Sequence, residues 1–158
     1  MSKIVIDSRL WALGLKAPFL AKHDPAIPYA TTVQGFLRKM LKEQNKLLFT
    51  SHLVSEIYDS LTQSGNAIPS DQANAFLAEL LSQKDTIYRP VSEAALRRCA
   101  ELSAASGIHI WDYLVAFPFE DAIDMIYTID PHFQHSTFQE LARIENPLGI
   151  WKTEDEAL

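Results

Sequence analysis

Apolar residues along this chain form two kinds of run, short consecutive blocks and longer stretches in which they recur every three or four positions. The block Lys3-Ile-Val-Ile-Asp7 is β-branched and apolar at successive positions, which predicts a strand buried on both faces and ended by a carboxylate. Ser8 predicts the cap of a helix through Leu10, Trp11 and Leu13, and Pro18, Pro25 and Pro28 then predict a loop long enough for an arm or lid. Val33, Phe36, Leu37, Met40 and Leu41 lie on one helical face, with Asn45-Lys46 closing that helix, and Leu47-Leu-Phe-Thr50 predicts a second buried strand. Leu53, Val54, Ile57, Tyr58 and Leu61 make a helix stopping at Gly65, and Ala73, Phe76, Leu77, Leu80 and Leu81 make another after Pro69. Further on, Thr86-Ile-Tyr88 predicts a short strand, Ser92 to Gly107 a capped helix, and Ile110 onward a helix interrupted by Pro118. Met125-Ile-Tyr-Thr128 and Leu141 to Ile144 predict the last two strands.

Strand and helix segments thus alternate throughout, without an internal repeat. That order predicts an α/β fold, a three-layer α/β/α arrangement with a mainly parallel central sheet reached through right-handed crossovers. Residues 1–151 form one domain in this reading, followed by an acidic C-terminal tail, 152–158, expected as a solvated end. In such open sheets ligands collect outside the carboxyl ends of the strands.

Composition narrows the class. A chain of 158 residues with 47% hydrophobic and 22% charged residues can bury a core of its own and is not disordered. The single cysteine, Cys99, excludes an internal disulfide and a thiolate metal cluster, which fits a reducing, cytoplasmic setting. No apolar run is long enough to cross a membrane, and the expectation is a soluble protein. The net charge of −6 is unevenly spread: residues 1–79 carry eight basic and seven acidic side chains, residues 80–158 six and thirteen.

The acids carry the chemistry. Asp7 ends the first strand and Asp130 lies just past the fourth, so both belong to the carboxyl edge of the sheet. Glu56, early in the helix after the second strand, and Asp112, in the first turn after Ile110, would point back over the same edge. Singly, each is an ordinary helix-terminus or surface charge. Together they repel one another by about 4 kcal/mol per pair at an effective dielectric near 20, so they persist as a group only if protonated or bound to cations. Oxygen donors without thiolates select magnesium or manganese.

The segments IVIDS at Asp7, TSHLVSEIYDSL around Glu56, WDYLVA around Asp112 and YTIDPHF around Asp130 resemble those of the PIN-domain nucleases, many of them toxins of toxin–antitoxin pairs. The resemblance spans nearly the whole chain. It implies an endoribonuclease dependent on Mg2+ or Mn2+, a homodimer, single-stranded RNA as substrate and an antitoxin protein as partner. It also implies a site in which Asp7, Glu56, Asp112 and Asp130 hold metal and the Thr128 hydroxyl supports them. The pattern departs at Arg9, where members of the family carry Asn or Ser, and at Pro118, which breaks a helix they run unbroken. A catalytically silent domain of the same fold, binding RNA or protein with a cluster weakened by Arg9, is the alternative. A phosphoacceptor receiver domain needs adjacent acids after the first strand and a late lysine, and here Ser8 follows Asp7 and YTIDPHF holds no lysine.

RNA requires cations. Arg9, close to the acids, and Arg38, Lys39, Lys42 and Lys46, read as the polar face of one helix, are the candidates for RNA binding. His132 and His135 beside Asp130, with His109 before Asp112, have no fourth ligand for zinc and are expected as surface residues. Trp111 and Trp151 are expected in packing or an interface.

Overall fold

The computed structural model describes residues 1–63 and 65–158. In chain order the elements are β1 (Lys3–Ile6), α1 (Ser8–Lys16), α2 (Ile27–Lys42), β2 (Lys46–Thr50), α3 (Ser51–Gln63), α4 (Ser70–Ser82) and β3 (Thr86–Arg89). They continue with α5 (Glu93–Ser106), α6 (Ile110–Leu114), β4 (Met125–Tyr127), α7 (Ser136–Leu141) and β5 (Arg143–Glu145), and short 3-10 turns at Ala17–Phe19, Phe117–Phe119 and Pro131–Gln134.

The strands form one five-stranded sheet, β3-β2-β1-β4-β5, in which every pairing is parallel. From β1 the chain steps outward to β2 and β3, then returns across to β4 and β5. Right-handed crossovers therefore place α1 to α4 on one face and α5 to α7 on the other, giving three layers. The direction of travel reverses between β1 and β4, and the gap at their carboxyl ends is where an open sheet leaves room for a ligand.

The core follows from the strand runs. Val5, Ile6, Leu48, Phe49 and Ile126 are fully buried, and Trp11 of α1 meets Phe49 at 5.6 Å between ring centroids. On the opposite face Tyr113 stacks on Phe138 at 4.7 Å, and Phe133 meets Phe138 at 4.4 Å. Each such buried ring contributes about 1.5–3 kcal/mol. Gly14 lets α1 pack closely on α2, because a Cβ there would meet the tip of Leu37 and crowd Val33, so that the Leu37 side chain would have to shift. Gly107, at φ +77°, ends α5 in the left-handed conformation that glycine favours.

Several boundaries differ from the sequence reading. Asp7, not Ser8, is the N-cap of α1: its backbone is extended and its carboxylate accepts from Ser8 N at 2.8 Å. Pro28 lies in the first turn of α2, where its missing N–H costs nothing, so the expected arm shortens to the residues before Ile27. Leu141 belongs to α7, and β5 starts only at Arg143. Pro118 does break the helix after Ile110, falling in the 3-10 turn at Phe117–Phe119. Lys46 is not on a helix at all. The backbone turns extended at Glu43, and Lys46 begins β2 opposite Lys3. Among the described residues no helix is long and apolar enough to cross a membrane.

Candidate active site

β1 and β4 lie side by side, with Ile6 opposite Tyr127, so the residues just beyond them meet at the carboxyl edge. Asp7 and Asp130 are each only 7% exposed, and Thr128 is fully buried between them. The Thr128 hydroxyl donates to Asp7 Oδ2 at 2.8 Å and accepts from Asp130 N at 3.0 Å, so one side chain fixes both acids. Asp130 in turn caps the 3-10 turn that follows, accepting from His132 N at 2.9 Å.

Glu56 and Asp112 arrive on helices, and Thr50 sets both. Its hydroxyl donates to Leu114 O at the end of α6 at 2.9 Å and accepts from Leu53 N in the first turn of α3 at 3.0 Å, tying both helices to the end of β2. The periodicity that locates α3 and α6 carries no sign of this tie. Glu56 Oε1 lies 3.1 Å from His52 Nε2, yet neither atom makes a hydrogen bond and both are sealed from solvent.

His132 is on the surface as expected, yet it joins the cluster. Its side chain is half exposed, but Nδ1 lies 2.9 Å from Asp130 Oδ1 and 3.7 Å from Asp112 Oδ2. Ligand atoms of Asp112, Asp130 and His132 all fall within 4.8 Å of one another. Of the two places expected for Trp111, the core is excluded and an interface is left: it is 59% exposed beside Asp112, edge-on to His109 at 4.7 Å.

Like charges in a dry place resist ionisation. Burial first, then the charges of Glu56 and Asp130, push the Asp7 carboxyl up to about 8, against the pull of the Thr128 hydrogen bond. Asp112 is pushed up to about 7, by burial and then by Asp130, with His132 opposing. The four acids named from the sequence therefore act on one another across a single rim. The donor set fits a hard divalent cation: carboxylate oxygens of Asp112 and Asp130 converge with His132, and Glu56 Oε1, which feels the same charges, is buried without a hydrogen-bond donor.

The candidate RNA contacts do not gather there. Only Glu43, Gln44 and Asn45 separate α2 from the start of β2, so Arg38, Lys39, Lys42 and Lys46 cluster toward the amino edge of the sheet, opposite the acids. Lys46 Nζ is 2.9 Å from Asp85 Oδ1, and Lys39 Nζ is 3.8 Å from Glu43 Oε1. Arg9 is at the right edge but faces a different acceptor. Its guanidinium donates to the carbonyls of Lys152, Thr153 and Glu156, so the C-terminal tail is folded back while Glu154, Asp155, Glu156 and Ala157 stay exposed.

No family profile matches the sequence, and no curated protein matches it. Solved structures do match in shape. VapC20 of Mycobacterium tuberculosis, described as a sarcin-ricin loop cleaving toxin, superposes with a TM-score of 0.61 at 15% identity over 83% of this chain and 92% of that one. VapBC2 of Rickettsia felis, bound to a DNA fragment from its promoter, gives 0.58 at 14% identity over 91% and 98%. FitAB bound to an IR36 DNA fragment gives 0.51 at 15% identity over 98% and 99%. At such identities the likeness is one of fold, and in fold this chain is a three-layer PIN-like domain, as the resemblance in its sequence implies.

Proposed function

We propose that this chain is a metal-dependent endoribonuclease that cleaves single-stranded RNA and acts as the toxin of a toxin–antitoxin pair. The observation that carries the reading is the meeting of Asp7, Glu56, Asp112 and Asp130 at the β1–β4 switch point, where Asp7 and Asp112 are held far above the ordinary carboxylate range. A fold keeps such a cluster when a cation resolves its repulsion. Magnesium or manganese held there supplies a Lewis acid that lowers the pKa of water and offsets charge on a phosphodiester under attack.

The chain's own residues do the positioning. Asp7 and Asp112 would hold the ion directly, and Asp130 directly or through water. Glu56 would orient a water or hold a second ion, with His52 against its buried oxygen. Thr128 locks the Asp7 carboxylate in place through its hydroxyl. Trp111, exposed beside Asp112, offers a flat face on which an unpaired base can stack, which favours single-stranded RNA over a duplex. The silent-domain alternative depended on Arg9 weakening the cluster, and Arg9 gives its hydrogen bonds to backbone carbonyls instead.

The likeness to VapBC2 and FitAB supports an antitoxin as partner, and a cytoplasmic homodimer is the accompanying expectation. A groove of about 350 Å3 between α1, α2 and α4, lined by Trp11, Leu15, Phe19, Leu37, Leu41 and Phe76, suits an apolar segment of that partner. The decisive experiment is cleavage of single-stranded RNA with Mn2+ by the wild type, Asp7→Asn and Asp112→Asn. Both variants are expected to fold and to lose cleavage. Unchanged cleavage by either one removes that residue from the site, and no metal-dependent cleavage by the wild type ends the reading.

A further inference from the structure

The C-terminal segment is acidic, and an acidic chain end should keep away from a cluster of carboxylates. It is anchored beside the cluster instead. Lys152 N donates to Ile129 O at 2.8 Å, immediately before Asp130, so the segment leaves the sheet at the rim of the site. Arg9 stands two residues after Asp7 in the first turn of α1, and its Nη1 donates to Lys152 O at 3.1 Å and also to Thr153 O. Its Nη2 donates to Glu156 O. Thr153 N and Oγ1 both donate to Glu156 Oε1, at 3.0 and 3.1 Å, which closes residues 153–156 into a turn. Lys152 Nζ reaches Ala157 O at 2.8 Å, and Leu158 packs on the core beyond it.

Glu154 sits within this turn. It keeps solvent contact, yet partial burial and the charges of Glu56 and Asp130 hold its carboxyl above the ordinary glutamate range, so its charge is felt by the cluster. Arg9 is suited to hold such a turn in such a place. A guanidinium paired with the carboxylates would occupy the place of a cation, whereas one that donates to three backbone carbonyls fastens the chain and leaves the acids open to an ion.

We propose that Arg9 is a positioning residue that folds residues 152–158 over the acidic rim and so brings the Glu154 carboxylate to the ion-holding cluster. The proposal rests on the metal-dependent reading above. Without an ion, Glu154 is repelled by Glu56 and Asp130, so closure of the segment and ion binding strengthen each other. Arg9 in this view marks a site in which the chain end supplies part of the wall.

The test is Mn2+ affinity by calorimetry together with hydrogen exchange of residues 152–158, for the wild type, Arg9→Gln, Glu154→Gln and Asp7→Asn. In the wild type, Mn2+ is expected to slow exchange in the C-terminal segment. Arg9→Gln and Glu154→Gln should each weaken Mn2+ binding roughly tenfold. Arg9→Gln should in addition leave the segment exchanging fast with or without the ion, which separates holding the segment from supplying the carboxylate. A merely structural role for Arg9 would lower the melting temperature of the ion-free protein and leave the Mn2+ dissociation constant unchanged, and that result overturns the proposal. Equal or tighter Mn2+ binding by Glu154→Gln overturns it too. If these variants bind Mn2+ normally while Asp7→Asn does not, the metal reading survives alone; if the wild type binds none, both fall.

Discussion

The two edges of one sheet handle charge in opposite ways. At the amino edge opposite charges pair, Lys46 with Asp85 at 2.9 Å and Lys39 with Glu43 at 3.8 Å, and the Asp124 carboxylate accepts from the backbone N of Lys3 at 2.8 Å. At the carboxyl edge Asp7, Glu56, Asp112 and Asp130 repel one another, and burial with this repulsion holds the carboxyls of Asp7 and Asp112 above the ordinary range. The same parallel strands and flanking helices supply both edges, so the fold does not dictate the difference. Where a chain gives up local stability at one place and pairs opposite charges at another, the costly place is where function is to be sought.

The sharpest way to break this contrast is to add a divalent cation. Free Mn2+ at 100 times its dissociation constant should stabilise the wild type by about 2.7 kcal/mol. For a chain of this length that corresponds to roughly 5–10 °C in Tm. Asp7→Asn and Asp112→Asn should lose this gain while melting at or above the ion-free wild type, since each removes a carboxylate that its neighbours oppose. A wild-type Tm indifferent to Mn2+ would make the carboxyl edge a strained surface and nothing more.

Thr128→Val comes next. The substitution keeps the shape of the side chain but strands the buried Asp130 N and deprives Asp7 Oδ2 of its donor, at about 1–3 kcal/mol of stability. It should also weaken Mn2+ binding about 10–100-fold, because the Asp7 carboxylate loses its orientation. Denaturant melts and Mn2+ titration read the two effects separately, and an affinity that holds while stability falls would reduce Thr128 to packing.

Much of this was legible before the fold was known, for a physical reason. Consecutive β-branched residues identify a buried parallel strand, and an acid closing that run must lie at its carboxyl end, which is how Asp7 and Asp130 are found. Helical spacing does the same for Glu56 and Asp112. Periodicity cannot say where a stripe ends: Lys46 continues the basic spacing of α2, but the backbone has already turned extended at Glu43. Pro28 reads as a breaker until its position in the first turn of α2 is known. Least legible are ties between distant residues. Nothing local to Arg9 announces carbonyls more than 140 positions away, and nothing around Thr50 announces Leu114 O.

Acidity offers a smaller effect with a definite sign. Asp7 and Asp112 have folded-state pKa values of about 8 and about 7, above the 3.8 of a free carboxyl. The folded protein therefore binds more protons than the unfolded chain between these values. Ion-free stability is fully supported below 3.8 and should fall as pH rises through about 7 and about 8. Urea midpoints at intervals across this range should show the decline, Asp7→Asn should flatten its upper part, and saturating Mn2+ should remove most of it. A decline of equal steepness in Asp7→Asn would place its origin outside the cluster.

The smallest effects belong to the amino edge, and their smallness is what the contrast requires. Lys46 holds the Asp85 carboxyl below its ordinary range through a hydrogen bond, so the pair's contribution is present above about pH 4 and fades as pH falls. Both side chains keep substantial solvent contact, and exposed ion pairs of this kind contribute little and are screened by salt. Lys46→Gln should lower Tm slightly at low salt and not at all at high salt, with Mn2+ affinity and RNA cleavage unchanged. The same is expected of Lys39→Gln and Lys42→Gln, because the end of α2 lies across the sheet from the acids. If instead these variants weaken RNA binding and flatten its dependence on salt, the substrate reaches around to the amino edge, and the two edges would be parts of one binding surface.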